Sequence, residues 1–417
     1  MKQKLVALAA MAVATPAVLA QTNVQVYGLL DAGVSQVTGL AGGTRTFLAS
    51  GIMEGSRLGF KGNEDLGGGY RAIFTMEHRL EVDTGQISNR PASGSQLPDR
   101  LSKATLLFPT LPAPNQAALQ PVVNSVAATI GNTVGVNLAG NFWDRQVFVG
   151  LVTPFGAVLA GRQYTPAYET SAAFDTLGTQ SSLSAGQVAS FPPSIDIRVS
   201  NAVVYRIVQG PISAALMYAL GEGSTTTGRL VGINSIYKTD AFSIGLGYNT
   251  RNNELAKKSL TSAVFGASVA VGPGTVVGQV ASVKDDNPTG LASLAGALTP
   301  VVGAATAGLV QSAFIEGLKQ DGRFFHIGYR MTIGPNTFYT AYSKWNDRRP
   351  ADADVDSYGV AYTYSFSKRT DVNVVLTHFN NKNLAQAAPG QAGFLGGVTA
   401  SAGTDSNNWA VGLRHRF

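Results

Sequence analysis

The chain has 417 residues with 31 basic and 25 acidic side chains, and only 13% of it is charged, about half the share ordinary in a soluble globular protein. A length that would otherwise suggest two or three soluble domains therefore comes with too little charge to cover their surfaces. The absence of cysteine excludes disulfides, thiolate metal sites and a cysteine nucleophile. A formal charge of +6, or +4 without Lys2 and Lys4, is too small an excess for a nucleic-acid binder.

Lys2 and Lys4 precede an apolar stretch from Leu5 to Val13, and Ala17-Val-Leu-Ala20 supplies small residues at −3 and −1. This pattern is a secretory signal peptide over residues 1–20, with Gln21 expected to open a single mature domain, 21–417. The apolar stretch is short of the ~20 residues that a membrane anchor needs.

Beyond it the dominant period is two. Val24, Val26, Gly28, Leu30, Ala32 and Val34 share one apolar face, while Gln25, Tyr27, Asp31 and Ser35 share the other. Phe242 to Asn249, Phe325 to Ile333 and Ser357 to Ser367 repeat the pattern, with apolar or aromatic residues alternating with Gly, Ser, Thr and Arg. In an exported chain this long, so many polar faces must surround something wet. Closing the strands into a membrane barrel leaves no unpaired edge and satisfies every backbone polar group in lipid.

The expected fold is therefore all-β, a sixteen-stranded antiparallel transmembrane barrel. Its strands start near Val24, Met53, Tyr70, Trp143, Ala157, Arg198, Ile212, Arg229, Ala241, Ser259, Thr275, Arg323, Thr337, Asp356, Asp371 and Asn407. Tight turns at Glu64 to Gly69, Thr153 to Gly156, Gln209 to Pro211, Thr239 to Asp240, Val271 to Gly274, Gly334 to Asn336 and Lys368 to Thr370 alternate with longer loops. That asymmetry and the even count suit an outer-membrane barrel with both ends in the periplasm. Ala104 to Trp143 and Gly290 to Ile315 carry no charge. Their prolines and glycines argue against a spanning helix, and both are expected as external loops over the barrel mouth or against a neighbouring subunit.

Val26-Tyr-Gly-Leu-Leu-Asp-Ala-Gly33 resembles the opening strand of the general porins of Gram-negative bacteria, particularly the trimeric porins of beta-proteobacteria. Ser56-Arg-Leu-Gly-Phe-Lys-Gly-Asn-Glu-Asp-Leu-Gly-Gly-Gly-Tyr70 is similar to the family's second hairpin, and Ala72-Ile-Phe74 continues it. Asp144-Arg-Gln-Val-Phe-Val-Gly-Leu151, Thr153-Pro-Phe-Gly156 and Gly161-Arg-Gln-Tyr-Thr-Pro-Ala-Tyr168 resemble the hairpin that leads into the constriction loop. Trp409 to Phe417 is similar to the last strand with its terminal phenylalanine. The resemblance implies a homotrimer in outer-membrane lipid and lipopolysaccharide, passive diffusion of ions and small hydrophilic solutes, and a third loop folded into the lumen.

A pore selects by radius and by fixed charge. Arg57 and Lys61 alternate with Leu58 and Phe60, and Arg71 and Arg79 alternate with Ala72, Phe74 and Met76, so all four are expected to line the lumen; Arg145 and Arg162 join them by family position. Gln163 to Ile197 resembles the inward loop, whose Glu169, Asp175 and Asp196 are candidates to oppose that wall. Asp175 is the preferred acid, and hydrogen-bond anchoring of the loop is the bland alternative, notably for Asp196. The cationic wall predicts a preference for small anions.

No cofactor is expected. The glycines after Glu64-Asp65 sit between strands with no helix following, which suits a turn better than a phosphate loop. The four histidines lack metal-ligand spacing. The reading from another class is an outer-membrane enzyme such as a phospholipase, or an adhesion or binding barrel closed to ions.

Overall fold

The computed structural model describes residues 23–178, 181–221, 226–391 and 395–417; the expected signal peptide, 1–20, lies outside the described residues. The strands in chain order are β1 (Asn23–Leu40), β2 (Gly43–Ser50), β3 (Arg57–Gly67), β4 (Tyr70–Arg79), β5 (Gln146–Thr153), β6 (Gly156–Tyr164), β7 (Arg198–Gln209), β8 (Ile212–Ala219), β9 (Leu230–Lys238) and β10 (Phe242–Asn252). They continue as β11 (Lys258–Val271), β12 (Gly274–Asp285), β13 (Gln320–Ile333), β14 (Asn336–Asp347), β15 (Val355–Ser365), β16 (Thr370–Asn381), β17 (Ala387–Gln391), β18 (Leu395–Val398) and β19 (Ser406–Arg416).

Seventeen of these form one antiparallel sheet, and β1 closes it by pairing with β19 from Leu29↔Arg416 to Val37↔Asn408. β2 and β3 occupy a single position, since both pair with β1, one above the other. The barrel thus has sixteen strand positions. The strand expected to start near Met53 in fact runs from Gly43 to Gly67 and is interrupted at Gly51–Ser56, where Met53 lies. An insertion of that length breaks the period of two, so only its second half reads as a strand.

Outward positions carry the lipid-facing side chains: Leu246 is 62% exposed and Val360 49%. Inward positions such as Ser343 and Ser357 are buried. Near the short-turn end, Tyr237, Phe242, Phe338, Tyr362, Tyr364 and Phe366 form aromatic pairs on the outer surface, as interfacial girdles do. The short turns fall where the alternation places them. At the first, Gly67, Gly68 and Gly69 all have φ between +61° and +84°, a backbone that only glycine adopts freely.

The two uncharged runs are not simple loops. Just before the first stands α1 (Asp99–Ser102), the first itself carries α2 (Ala104–Leu107) and α3 (Ala113–Gly131), and the second carries α5 (Leu294–Val302) and most of α6 (Ala304–Leu318). Pro112 and Pro114 begin α3 instead of breaking it, because proline in a first turn forfeits no intrahelical bond. Among the described residues no helix is long and apolar enough to cross a membrane. The insertions share one apolar cluster, in which Leu101, Phe108, Val123 and Val126 meet Val310, Phe314 and Leu318.

Candidate functional site

The described residues of the segment between β6 and β7, 165–178 and 181–197, line the inner wall of β9 to β16. The segment opens with α4 (Pro166–Ala173), capped by Thr165, whose hydroxyl accepts from the Tyr168 amide. Side chains of β10, β12, β13 and β16 then hold it. Asn249 on β10 accepts from the Ala167 amide at 3.1 Å, and Gln279 on β12 donates to the Ser171 and Phe174 carbonyls at 3.0 and 3.2 Å. On β13, His326 Nε2 accepts from the Thr176 amide at 3.1 Å while Nδ1 meets Ser343 Oγ at 2.9 Å. That pairing assigns a neutral imidazole protonated at Nδ1. Ser182 bonds Thr377 on β16 at 2.9 Å, and Gln187 joins the β17–β18 hairpin through Gln391 and Gly390.

Glycine on the wall makes the fit possible. A Cβ on Gly266 would lie 2.2 Å from the Phe174 ring, and one on Gly328 would lie 2.1 Å from Thr176 Oγ1. The loop is therefore seated in a groove that larger side chains would fill.

From β16 through β19 and round to β7 a continuous chain of charges crosses the wall. Arg416 and Arg414 bind Asp371 at 2.9 and 3.0 Å, and both also bind Glu54 at 3.1 and 3.2 Å. Glu54 pairs with Arg57, which reaches Glu77 at 3.3 Å; Glu77 in turn holds Arg145 at 2.5 Å. Arg145 and Arg198 then donate to the same Tyr164 hydroxyl, each at 3.0 Å. Four guanidiniums thus share three carboxylates, and Arg198 joins them through Tyr164.

The expected residues divide among distinct surroundings. Arg57 belongs to this chain. Lys61 and Arg71 are exposed on the lumen side, Lys61 with its ammonium 5.2 Å from the Tyr27 ring. Arg79 and Arg145 were expected to stand in the lumen but are buried, 6% and 3% exposed, Arg79 pairing with Asp144 and Glu81. Arg162 shares the parity of outward-facing Val158 and Ala160, and donates to the Asp144 carbonyl and to Ser200 rather than to a carboxylate.

The three acids of the loop differ as well. Glu169 holds Arg206 on β7 through both oxygens, at 2.5 and 2.9 Å. Asp175 does not stand in water: it is 5% exposed and accepts the Leu177 and Ala185 amides at 2.7 and 2.6 Å. Asp196 pairs with Arg251 at 2.9 Å, and burial raises its carboxyl above the usual range against the pull of that arginine.

Sequence reasoning missed Glu54, Glu77, Asp371, Arg198, Arg206, Arg414 and Arg416. Parity could have found several, since Glu77 alternates with Met76 as Arg79 does, and Arg414 and Arg416 lie on the inward face of the last strand. Among the described residues no three His, Cys, Asp or Glu side chains are grouped to hold a metal.

The Gram-negative porin family matches residues 7–384, most of the chain. The chain belongs to the Gram-negative porin family. This porin is a multi-pass barrel of the outer membrane and forms a channel there. It is similar to outer membrane porin protein 32 of Delftia acidovorans, at 25% identity over 436 residues covering 100% of both chains. A shorter stretch, 87 residues and 20% of the chain, is 37% identical to the major outer membrane protein P.IB of Neisseria meningitidis serogroup B. Among solved structures, the anion-selective porin from Comamonas acidovorans aligns over 95% of this chain and 100% of its own, with a TM-score of 0.69 at 19% identity. OmpT of Vibrio cholerae aligns over 95% and 98% with a TM-score of 0.57 at 12% identity.

Proposed function

We propose that this porin is an anion-preferring, water-filled channel for small hydrophilic solutes, working as a homotrimer among outer-membrane lipid and lipopolysaccharide after residues 1–20 are removed. The observation that carries the preference is the excess of five guanidiniums over three carboxylates along one side of the lumen, to which exposed Lys61 and Arg71 add. Anions passing this wall meet a net positive field that a narrow, low-dielectric opening screens poorly. In this reading Arg57, Lys61 and Arg71 face the passing ion, and Glu169 opposes them from the loop. Arg79, Arg145, Arg162 and Asp175 hold the frame. The anion-selective porin from Comamonas acidovorans has a similar barrel, which supports this direction.

The test is the reversal potential of purified trimers in planar bilayers under a potassium chloride gradient. Chloride preference in dilute salt, shrinking towards 1 M as the Debye length falls to ~3 Å, is the expected result. Preference for potassium would overturn the selectivity. Silence in the bilayer would overturn the open channel.

A further inference from the structure

The interruption between β2 and β3 is a built element. Along β1 the register runs Ala32↔Ser50 and then Leu29↔Arg57, so Leu30 and Asp31 face six residues, Gly51 to Ser56, which the wall cannot accommodate and which enter the lumen. Asp31, fully buried, holds them there. Its carboxylate accepts the amides of Ile52, Met53 and Glu54 at 3.1, 2.8 and 2.7 Å, and its carbonyl accepts the Gly51 amide at 2.7 Å. The Ser56 hydroxyl bridges the Asp31 carbonyl and amide at 3.1 and 3.0 Å. Ile52 and Met53 pack with Leu183 and Leu177 of the inward loop and with Ala341, Ala361, Val375 and Ala410 of the wall.

Two inward elements therefore meet against Ala341, Ala361, Val375 and Ala410 and fill that part of the lumen with apolar groups. Four residues further along β16 and β19, at Asp371 and Arg414, it borders the charged groups. At that border the bulge presents Glu54, half-buried and touching Arg57, Arg414 and Arg416 at once.

We propose that the bulge is a second constriction element and that Glu54 is a specificity-determining residue of the channel, its carboxylate cancelling part of the field that the three arginines would otherwise offer to anions. The inference rests on the reading of the barrel as an open channel, and concerns how its selectivity is set rather than its sign. Glu54→Gln keeps the side chain's size and removes one negative charge. In a water-filled path a unit charge ~8 Å from an ion changes each ion's partition by roughly 2.4-fold, in opposite directions for chloride and potassium, hence the permeability ratio by about fivefold at low salt.

Wild-type and E54Q trimers are compared by reversal potential in dilute potassium chloride. The expected result is a chloride-to-potassium ratio raised about fivefold in E54Q, shrinking at high salt. An unchanged or lowered ratio overturns the proposal. Should E54Q give no folded barrel, E54Q/R416Q, which loses one charge of each sign, is read against R416Q alone; the double variant must show the higher chloride ratio by the same factor, and equality overturns the proposal. A potassium-preferring wild type with an E54Q shift towards chloride would sink the anion preference and leave the role of Glu54 standing.

Discussion

A single buried carboxylate shows how far a residue's surroundings outrun its type. Asp175, chosen from sequence as an acid facing the lumen, spends both oxygens on amides of its own loop, Leu177 and Ala185. Replacing it with asparagine leaves one amide facing an NH2 group, and an unmade bond at a buried donor costs about 1–3 kcal/mol. Asp175→Asn is therefore expected to loosen the loop more than it shifts selectivity, seen as faster proteolysis within residues 165–197 and noisier single-channel current, with a reversal potential close to wild type. A quiet channel with a clear gain in chloride preference would return Asp175 to the lumen. Strand residues such as Arg57 were legible because an alternating pattern fixes the side on which each stands. Nothing of that kind operates in a loop, where Asp175 and Glu169 look alike in sequence yet one is interior and the other meets Arg206.

At the level of elements, period two carried the reading through most of the barrel and failed where the chain departs from it. β13 to β16 were plain because aromatic and apolar residues alternate with small ones along their lengths. β2 was lost behind the bulge, whose Gly51-Ile-Met-Glu-Gly-Ser56 reads as a strand start, and α3 was hidden by its prolines, of which Pro112 and Pro114 begin it and Pro121 lies within it. The helical insertions also have a tether that sequence could not show. The Glu254 carboxylate accepts the amides of Gly290, Leu291 and Ala292 at 3.0, 3.1 and 3.0 Å, just before α5. Its partial burial alone would raise its carboxyl, but these donors and its own amide hold it below the usual range. A depressed carboxyl contributes stability above its unfolded value, near 4.3, and loses that contribution as pH falls through the folded value. Hydrogen exchange in residues 290–303 is expected to quicken, after correction for intrinsic rates, below about pH 4, and Glu254→Gln should show much of that loosening already at neutral pH. Equal protection in the two proteins at neutral pH would mean that the shared apolar cluster alone holds the insertion.

Over the whole molecule, the fold depends on closure, and closure depends on the meeting of the chain's two ends. β1 and β19 pair over nine residues, and the seam finishes in two hydrogen bonds at 3.1 Å between Gly28 and Phe417, each amide donating to the other's carbonyl. The Phe417 ring covers Gly28 so closely that a Cβ there would lie 2.5 Å from it. Phe417 thus extends the seam's hydrogen bonding by one pair, to Gly28, and shields it from lipid, where an unpaired backbone group costs several kcal/mol. Trp409, Val411, Leu413, His415 and Phe417 all face outward, while Arg414 and Arg416 face inward and tie the seam to Asp371 and Glu54. Deleting Phe417 removes both terminal bonds and the ring while leaving this inner ion network in place, so assembly should suffer more than the charge of the finished channel. The expected outcome is a several-fold lower yield of heat-modifiable trimer in the outer membrane, with the surviving trimers keeping the wild-type reversal potential. Normal trimer yield in the deletion would show that the inner arginine network and the remaining ladder close the barrel unaided.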